Sequence, residues 1–287
     1  MRNAAVILAL LLLGACGGPP QAPSEPRRVI ALAPSIAEQM FALGLEGRLV
    51  AVSDYCDWPP EAARLPSVGS YANPSLEAVL ALQPDLVVAA FGTRRSALAR
   101  LAAVGVPVRL SDPRTVEQSI EALGEMAGWC GAPGAADELA AGLRERLARV
   151  RAAVRGAPKP RVYFQLYPGE LASAGEGSLQ GDLIREAGGL NVAAGVAWPY
   201  PRLSLEHVLA QAPEVVIVAT DDCAAFEAEK RRWLAQPLPA ARTGSVFRLP
   251  AGPLLQPGPR LVEGLELLAA RLHPERFPPP QPQPEGP

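Results

Sequence analysis

Two stretches of the chain carry almost the same order of apolar and polar positions: SLEAVLALQPDLVVAA at 75–90 and SLEHVLAQAPEVVIVA at 204–219. Nine of the 16 positions are identical, and the two copies start 129 residues apart. In the first half of each copy the apolar residues fall at helical spacing: Leu76, Val79 and Leu80, then Leu205, Val208 and Leu209. Ser75 and Ser204 stand ahead of them, where a hydroxyl can accept from an unpaired first-turn amide. Glu77 and Glu206 follow in that turn, where the positive end of the helix dipole favours a carboxylate. Pro84 and Pro213 then end the helix, because proline disfavours helical geometry in the residue before it. The second half is an apolar, β-branched run without alternation, the mark of a strand covered on both faces in a parallel sheet. An offset of this length is too long for a solenoid repeat and suits two small domains.

The rest of the pattern extends that picture. Strands are predicted at 28–33, 49–53, 85–90 and 106–110, and again at 161–166, 214–219 and 245–250. Helices beginning near Ser35, Ser75 and Ser96, then near Ser178, Ser204, Ala224 and Pro259, alternate with them. The class is α/β: two βα lobes with mostly parallel sheets. Between the lobes, at 133–155, Leu139, Leu143, Leu147, Val150 and Val154 form one stripe of an amphipathic helix. At ~1.5 Å per residue such a helix is roughly 30 Å long. A rigid helical connector transmits bending poorly, so wide hinge closure is not expected. The division is an N-terminal lobe at 28–112, connecting helices at 113–157 and a C-terminal lobe at 158–277, with a ligand cleft between the lobes where the loops at strand C-terminal ends converge.

Composition changes the picture chiefly at the ends. The chain has 287 residues, 27 basic and 29 acidic, for a net charge of −2. It has no basic block, which argues against a nucleic-acid partner. Residues 1–16 read MRNAAVILALLLLGAC, with an apolar stretch at 4–13 that is too short to span a bilayer and matches a signal peptide. Its ending, Leu13-Gly14-Ala15-Cys16, resembles a bacterial lipobox, which implies export to the periplasm or cell envelope and a lipid anchor on Cys16. Residues 17–27 are too rich in proline and glycine to pack and read as a tether. Residues 278–287 read as a disordered tail. Cys56, Cys130 and Cys223 remain, an odd number that leaves at least one free thiol. They lack metal-ligand spacing, so no metal site is expected.

Candidate chemistry is aromatic. Only 5% of the residues are Phe, Trp or Tyr, yet Tyr55, Trp58, Tyr71, Phe91, Trp198 and Tyr200 all fall in loops near strand ends. Flat aromatic faces there suit a large, partly apolar ring system, in competition with ordinary loop packing. Arg94 and Arg95 read as a solvated helix start, and His207 and His273 as surface or packing residues. An enzyme is not expected. GEGSLQG at 175–181 does not match GxGxxG, and no GxSxG or HExxH occurs. The acidic pairs Asp54/Asp57 and Asp221/Asp222 have no identifiable nucleophile or metal partner, so there are no candidate catalytic residues and no cofactor is implied.

In order and spacing, RVIALAPSIAEQMFALG, SDYCDWPPEA, VGSYANPSLEAVLALQPDLVVA, GDLIREAGGLNV and YPRLSLEHVLAQAPEVVIV resemble the helical-backbone class of substrate-binding proteins for bacterial ABC importers. The resemblance spans 28–275 and is nearest to the cobalamin-binding members of a class that also captures ferric siderophores and haem. It implies an exported, monomeric lipoprotein that takes up cobalamin as cargo and delivers it to the importer's membrane subunits. Ferric siderophore or haem is the alternative cargo, and an anchored scaffold with a flat interlobe surface is the alternative of another class. It further implies that Glu77 and Glu206 lie on the outer rims and meet arginine pockets of the transporter. Tyr55 carries over directly as a ligand contact. Tyr71, Ala90 or Phe91, and Tyr200 align with tryptophans of the cobalamin binder. Gly252, Pro253, Leu254, Leu255 and Gln256 match another ligand loop, with different side chains.

Overall fold

The computed structural model describes residues 24–277; the predicted signal peptide, Cys16, residues 17–23 of the tether and the tail at 278–287 lie outside the described residues. The first sheet holds β1 (Val29–Ala31), β2 (Leu49–Val52), β3 (Leu86–Ala90) and β4 (Val108–Ser111), in the order β2-β1-β3-β4. With it go α1 (Pro34–Ala42), α2 (Leu76–Ala81) and α3 (Arg95–Ala103). Two helices follow, α4 (Val116–Trp129) and α5 (Asp137–Val154). The second sheet holds β5 (Arg161–Gln165), β6 (Leu190–Asn191), β7 (Val215–Ala219) and β8 (Val246–Leu249), in the order β6-β5-β7-β8. Its helices are α6 (Leu179–Glu186), α7 (Leu205–Ala210), α8 (Cys223–Leu234), α9 (Pro239–Thr243), α10 (Ala251–Leu255) and α11 (Leu261–Leu272). Every strand pair is parallel. The repeated strands β3 and β7 take the same inner place in their sheets, and all five residues of each are buried, as an unbroken apolar run requires.

The repeat is realised in the same kinds of hydrogen bond. Ser75 Oγ accepts from the Ala78 amide at 3.2 Å, and Ser204 Oγ from the His207 amide at 3.1 Å. Gln83 and Ala212, just ahead of the two prolines, take φ of 44° and 46°, so each helix leaves through a left-handed residue. Arg28 donates to the carbonyls of Leu82 and Gln83, and Arg161 donates to that of Ala212, answering helix-end acceptors that would otherwise lack a partner. Asp85 accepts from the Arg27 and Arg28 amides, and Glu214 from the Arg161 amide at 2.9 Å, which pins each strand start to its neighbour.

Leu143, Leu147 and Val150 of the predicted connector stripe are buried on α5, with Leu139 and Val154 half-buried. The connector is not a single rod, however. α4 lies along α5, and one continuous core runs from α1 through α4 and α5 to α6 and α11. The reason is a second apolar face, on α4, made by Val116, Ile120, Leu123 and Met126. Polar bonds also cross directly between the lobes. Glu38 of α1 accepts from Arg260 at its amide (3.0 Å) and at its guanidinium (2.9 Å), and Gln39 donates to the Pro257 carbonyl at 3.0 Å. Gly258 sits so close to the Glu38 carboxyl that a Cβ there would lie 2.8 Å from it.

Among the described residues, Cys56 and Cys130 are free and buried, and Cys223 is free and exposed.

Candidate functional site

Parallel strands send their C-terminal loops to one edge, and here the two sets of loops enclose a cavity of about 520 Å³. The N-terminal lobe contributes the start of α1 (Ala33, Pro34, Ser35), Tyr55 after β2, Tyr71, the turn after β3 (Ala90, Phe91, Gly92) and the turn after β4 (Ser111, Asp112, Pro113). The C-terminal lobe contributes Leu166 and Tyr167 after β5, Leu179 and Gln180 at the start of α6, then Tyr200, Arg202, Leu255, Gln256 and Pro257.

Phe91 and Tyr200 meet across the cleft, with ring centroids 5.6 Å apart and planes tilted by 44°, within the range of favourable aromatic pairs. The Arg114 guanidinium lies 3.9 Å from the Phe91 centroid and is held there by Asp112 at 2.8 Å. Tyr71 rests on Gly92, whose φ of 94° favours glycine and where a Cβ would lie 2.9 Å from the tyrosine ring. Tyr55, at φ 65° and 82% exposed, holds its ring at the mouth.

Tyr167 is placed by a buried polar cluster behind it. Gln165 donates to the Tyr167 and Glu170 carbonyls and to Glu229 of α8, and it accepts from the Trp233 indole at 2.7 Å. Glu229 also accepts from the Gly169 amide at 2.7 Å, so the loop is bonded to α8 at both ends. Burial pushes the phenols of Tyr167 and Tyr200 above the ordinary tyrosine range. Tyr71 and Glu170 add to the shift at Tyr167, and Arg114 pulls Tyr200 partly back. Both stay neutral at physiological pH and can act as hydrogen-bond donors.

Of the residues singled out in the sequence, Tyr55, Tyr71, Phe91, Tyr200, Leu255 and Gln256 come together here. Trp58, Trp198, Gly252, Pro253 and Leu254 do not line the cavity. The Trp58 ring faces the Arg260 guanidinium at 4.4 Å instead. Trp198 is 68% exposed, and its segment contributes backbone: Gly175 donates to the Pro199 carbonyl at 2.8 Å and lies against that of Trp198, with no room for a Cβ. Residues 251–255 are helical rather than a loop, so Pro253 and Leu254 turn into the core and Gly252 packs on Arg260. Arg94 and Arg95 are exposed at the start of α3, His207 is half-buried on α7 and His273 is buried at the end of α11; none lines the cavity.

Sequence reasoning missed Tyr167, Arg202, Ser35, Gln180 and the stacking Arg114. Tyr167 was within reach, since it directly follows the strand predicted at 161–166, as Phe91 follows the one predicted at 85–90. Arg202, two residues past Tyr200, pairs with Glu170 at 2.7 Å. Glu77 and Glu206 are exposed in the first turns of α2 and α7. The Glu206 carboxyl is held below the usual range by its own backbone amide and the Ser204 hydroxyl.

Comparison with known proteins agrees with this geometry. The periplasmic binding protein family matches residues 29–253. A vitamin B12-binding protein of Salmonella typhimurium is 37% identical over 193 residues, 67% of this chain and 72% of that one. The crystal structure of the periplasmic vitamin B12-binding protein BtuF of Vibrio cholerae superposes with a TM-score of 0.80 at 29% identity, over 88% of this chain and 99% of that one. The periplasmic haem-binding protein BhuT, in complex with two haems, gives 0.77 at 32% identity, over 87% and 98%. The two-lobed fold, its interlobe cleft and these matches together make the chain a member of the periplasmic binding protein family.

Proposed function

We propose that the chain captures cobalamin in the interlobe cleft, outside the cytoplasm, and hands it to an ABC importer. The observation that carries this reading is the aromatic cavity assembled from both lobes, with Phe91 against Tyr200. A corrinoid offers broad apolar faces and a neutral polar rim, which suits tyrosine rings with neutral phenols. The charged lining residues are few: Asp112, already on Arg114, and Arg202, already on Glu170. The two propionates of a haem, or an anionic ferric chelate, would have to displace those partners. Cobalamin is therefore favoured over haem. Tyr55, Tyr71, Phe91, Tyr167, Tyr200, Leu255 and Gln256 are the proposed ligand contacts, and Glu77 and Glu206 the proposed docking residues. Cys16 is the proposed lipid attachment point.

Titration of the purified chain with cyanocobalamin, haem and a ferric siderophore, followed by tryptophan fluorescence, tests the reading. One cobalamin per chain is expected. Saturable haem or siderophore binding with no response to cobalamin would overturn it.

A further inference from the structure

Phe91 and Tyr200 both line the cavity, and they are held in different ways. Tyr200 packs against the continuous core, and the backbone on either side of it is strapped down. The Gly175 amide donates to the Pro199 carbonyl at 2.8 Å, and the Ser173 amide to that of Pro201 at 2.9 Å. Among the described residues Phe91 packs against none of the apolar clusters, and it is 49% exposed. Its ring is held by Tyr200 itself, with centroids 5.6 Å apart, and by the Arg114 guanidinium, 3.9 Å from the ring centre. Arg114 is fixed in turn by a two-pronged pair with Asp112, Nε on one carboxyl oxygen and Nη2 on the other, each at 2.8 Å. Its amide donates to the Gln118 side chain, also at 2.8 Å.

The contact between the two rings leaves no room for a guest. A flat ring stacked on both aromatic faces needs them about 7 Å apart, two carbon–carbon contacts of ~3.5–4.0 Å. The lobes do not part to supply the difference. Glu38 and Gln39 are bonded across the interface to Arg260 and Pro257, and one core runs through both lobes. Of the two rings Phe91 is the one that can swing, since rotation of a half-exposed side chain is fast and local. We propose that Phe91 and Tyr200 form an aromatic gate in the cleft: Tyr200 is the fixed post, Phe91 the moving leaf, and Arg114 a positioning residue that holds the leaf shut. A ring-shaped ligand stacks on both only after their contact opens, so the apparent affinity is reduced by the fraction of time that the gate stands open. The proposal rests on the reading of the cargo as a large ring ligand and adds how that ligand gets in. Arg114 then differs from an ordinary supporting side chain in the sign of its effect. A support strengthens binding, whereas a catch weakens it and slows entry.

The test mixes the full chain rapidly with cyanocobalamin and reads association and dissociation separately through tryptophan fluorescence. Arg114→Met keeps the apolar stem and removes the guanidinium. It should speed association about two- to fivefold, the worth of one exposed cation–π contact. Dissociation should be nearly unchanged, so affinity tightens by the same factor. Phe91→Ala removes the leaf and a stacking surface together. Its association should be at least as fast as that of Arg114→Met, although affinity falls because dissociation speeds up more. Unchanged or slower association in folded Arg114→Met, or weaker binding by it, would overturn the gate and leave Arg114 a support. So would unchanged or slower association in Phe91→Ala. If wild type binds haem and not cyanocobalamin, the corrinoid reading falls and the same signs are read with haem. If it binds neither, the ring-ligand reading and the gate fall together.

Discussion

The segments at 75–90 and 204–219 fold alike, with the same helix cap, left-handed helix exit and strand-start anchor, yet the residues that follow them part company. After β3 come Phe91, Gly92 and Thr93, and the first two build the cleft: Phe91 reaches Tyr200, and Gly92 makes room for Tyr71. After β7 come Thr220, Asp221 and Asp222, none of which lines the cavity. Asp222 caps α8 by accepting from the Ala224 and Ala225 amides at 2.8 and 3.0 Å. Asp221 accepts from the Ala251 amide at 3.3 Å and so ties α10 to the sheet. The same strand end thus serves the ligand in one lobe and the fold in the other. Symmetry is kept at the proposed docking glutamates and abandoned at the proposed ligand cleft.

The largest effect should come from the symmetric half. Replacing Glu77 and Glu206 together with lysine should abolish uptake through the importer and leave cobalamin affinity near wild type, because truncating a buried interfacial charge pair already costs about 2–5 kcal/mol. Normal uptake by the folded double variant would end the docking assignment. The asymmetric half comes next. Phe91→Ala should weaken cobalamin binding by about 1.5–3 kcal/mol, the worth of a buried aromatic side chain. Thr220→Ala, at the corresponding place, should leave titration curves unchanged.

Gly92→Ala is a smaller perturbation. It places a Cβ in a left-handed residue and against Tyr71, so a loss of roughly 1–2 kcal/mol in thermal unfolding should accompany weaker ligand binding. Its counterpart Asp221→Ala should lower the melting temperature slightly and leave affinity alone. The finest test is of symmetry itself. Glu214→Ala, which removes the bond from the Arg161 amide, should cost about 0.5–1.5 kcal/mol, and Asp85→Ala more, because Asp85 accepts from both the Arg27 and Arg28 amides. Equal costs would show that the second amide bond at Asp85 adds nothing to stability.

Much of this fold was legible because it is written in local chemistry. A serine, a glutamate two positions before an apolar pair, a proline and a β-branched run dictate helix, stop and buried strand. β6 escaped notice because two residues carry no periodicity, and it sits where the sequence reads as a helix end. α10 escaped for a related reason: a five-residue helix containing Gly252 and Pro253 looks like a loop, and only its helical turn sends Leu254 inward and Leu255 to the cleft. The aromatic loops were found by type and position in the chain, yet Trp58 and Trp198 show that a loop's composition does not say which way its rings face.

What the sequence determined by itself was the α/β class, the two-lobed plan, the repeated helix–strand unit and the helical connection, all of which follow from periodicity and from caps acting over a few residues. Only the tertiary structure decided how the lobes meet. The contact of Glu38 with Arg260, the tilt of Phe91 against Tyr200 and the burial of Glu229 behind Tyr167 join residues 222, 109 and 60 positions apart or more. Caps and stops are short-range interactions that the local residues specify. A cleft is the space left between two packed bodies, and its chemistry exists only once every long-range contact has been made.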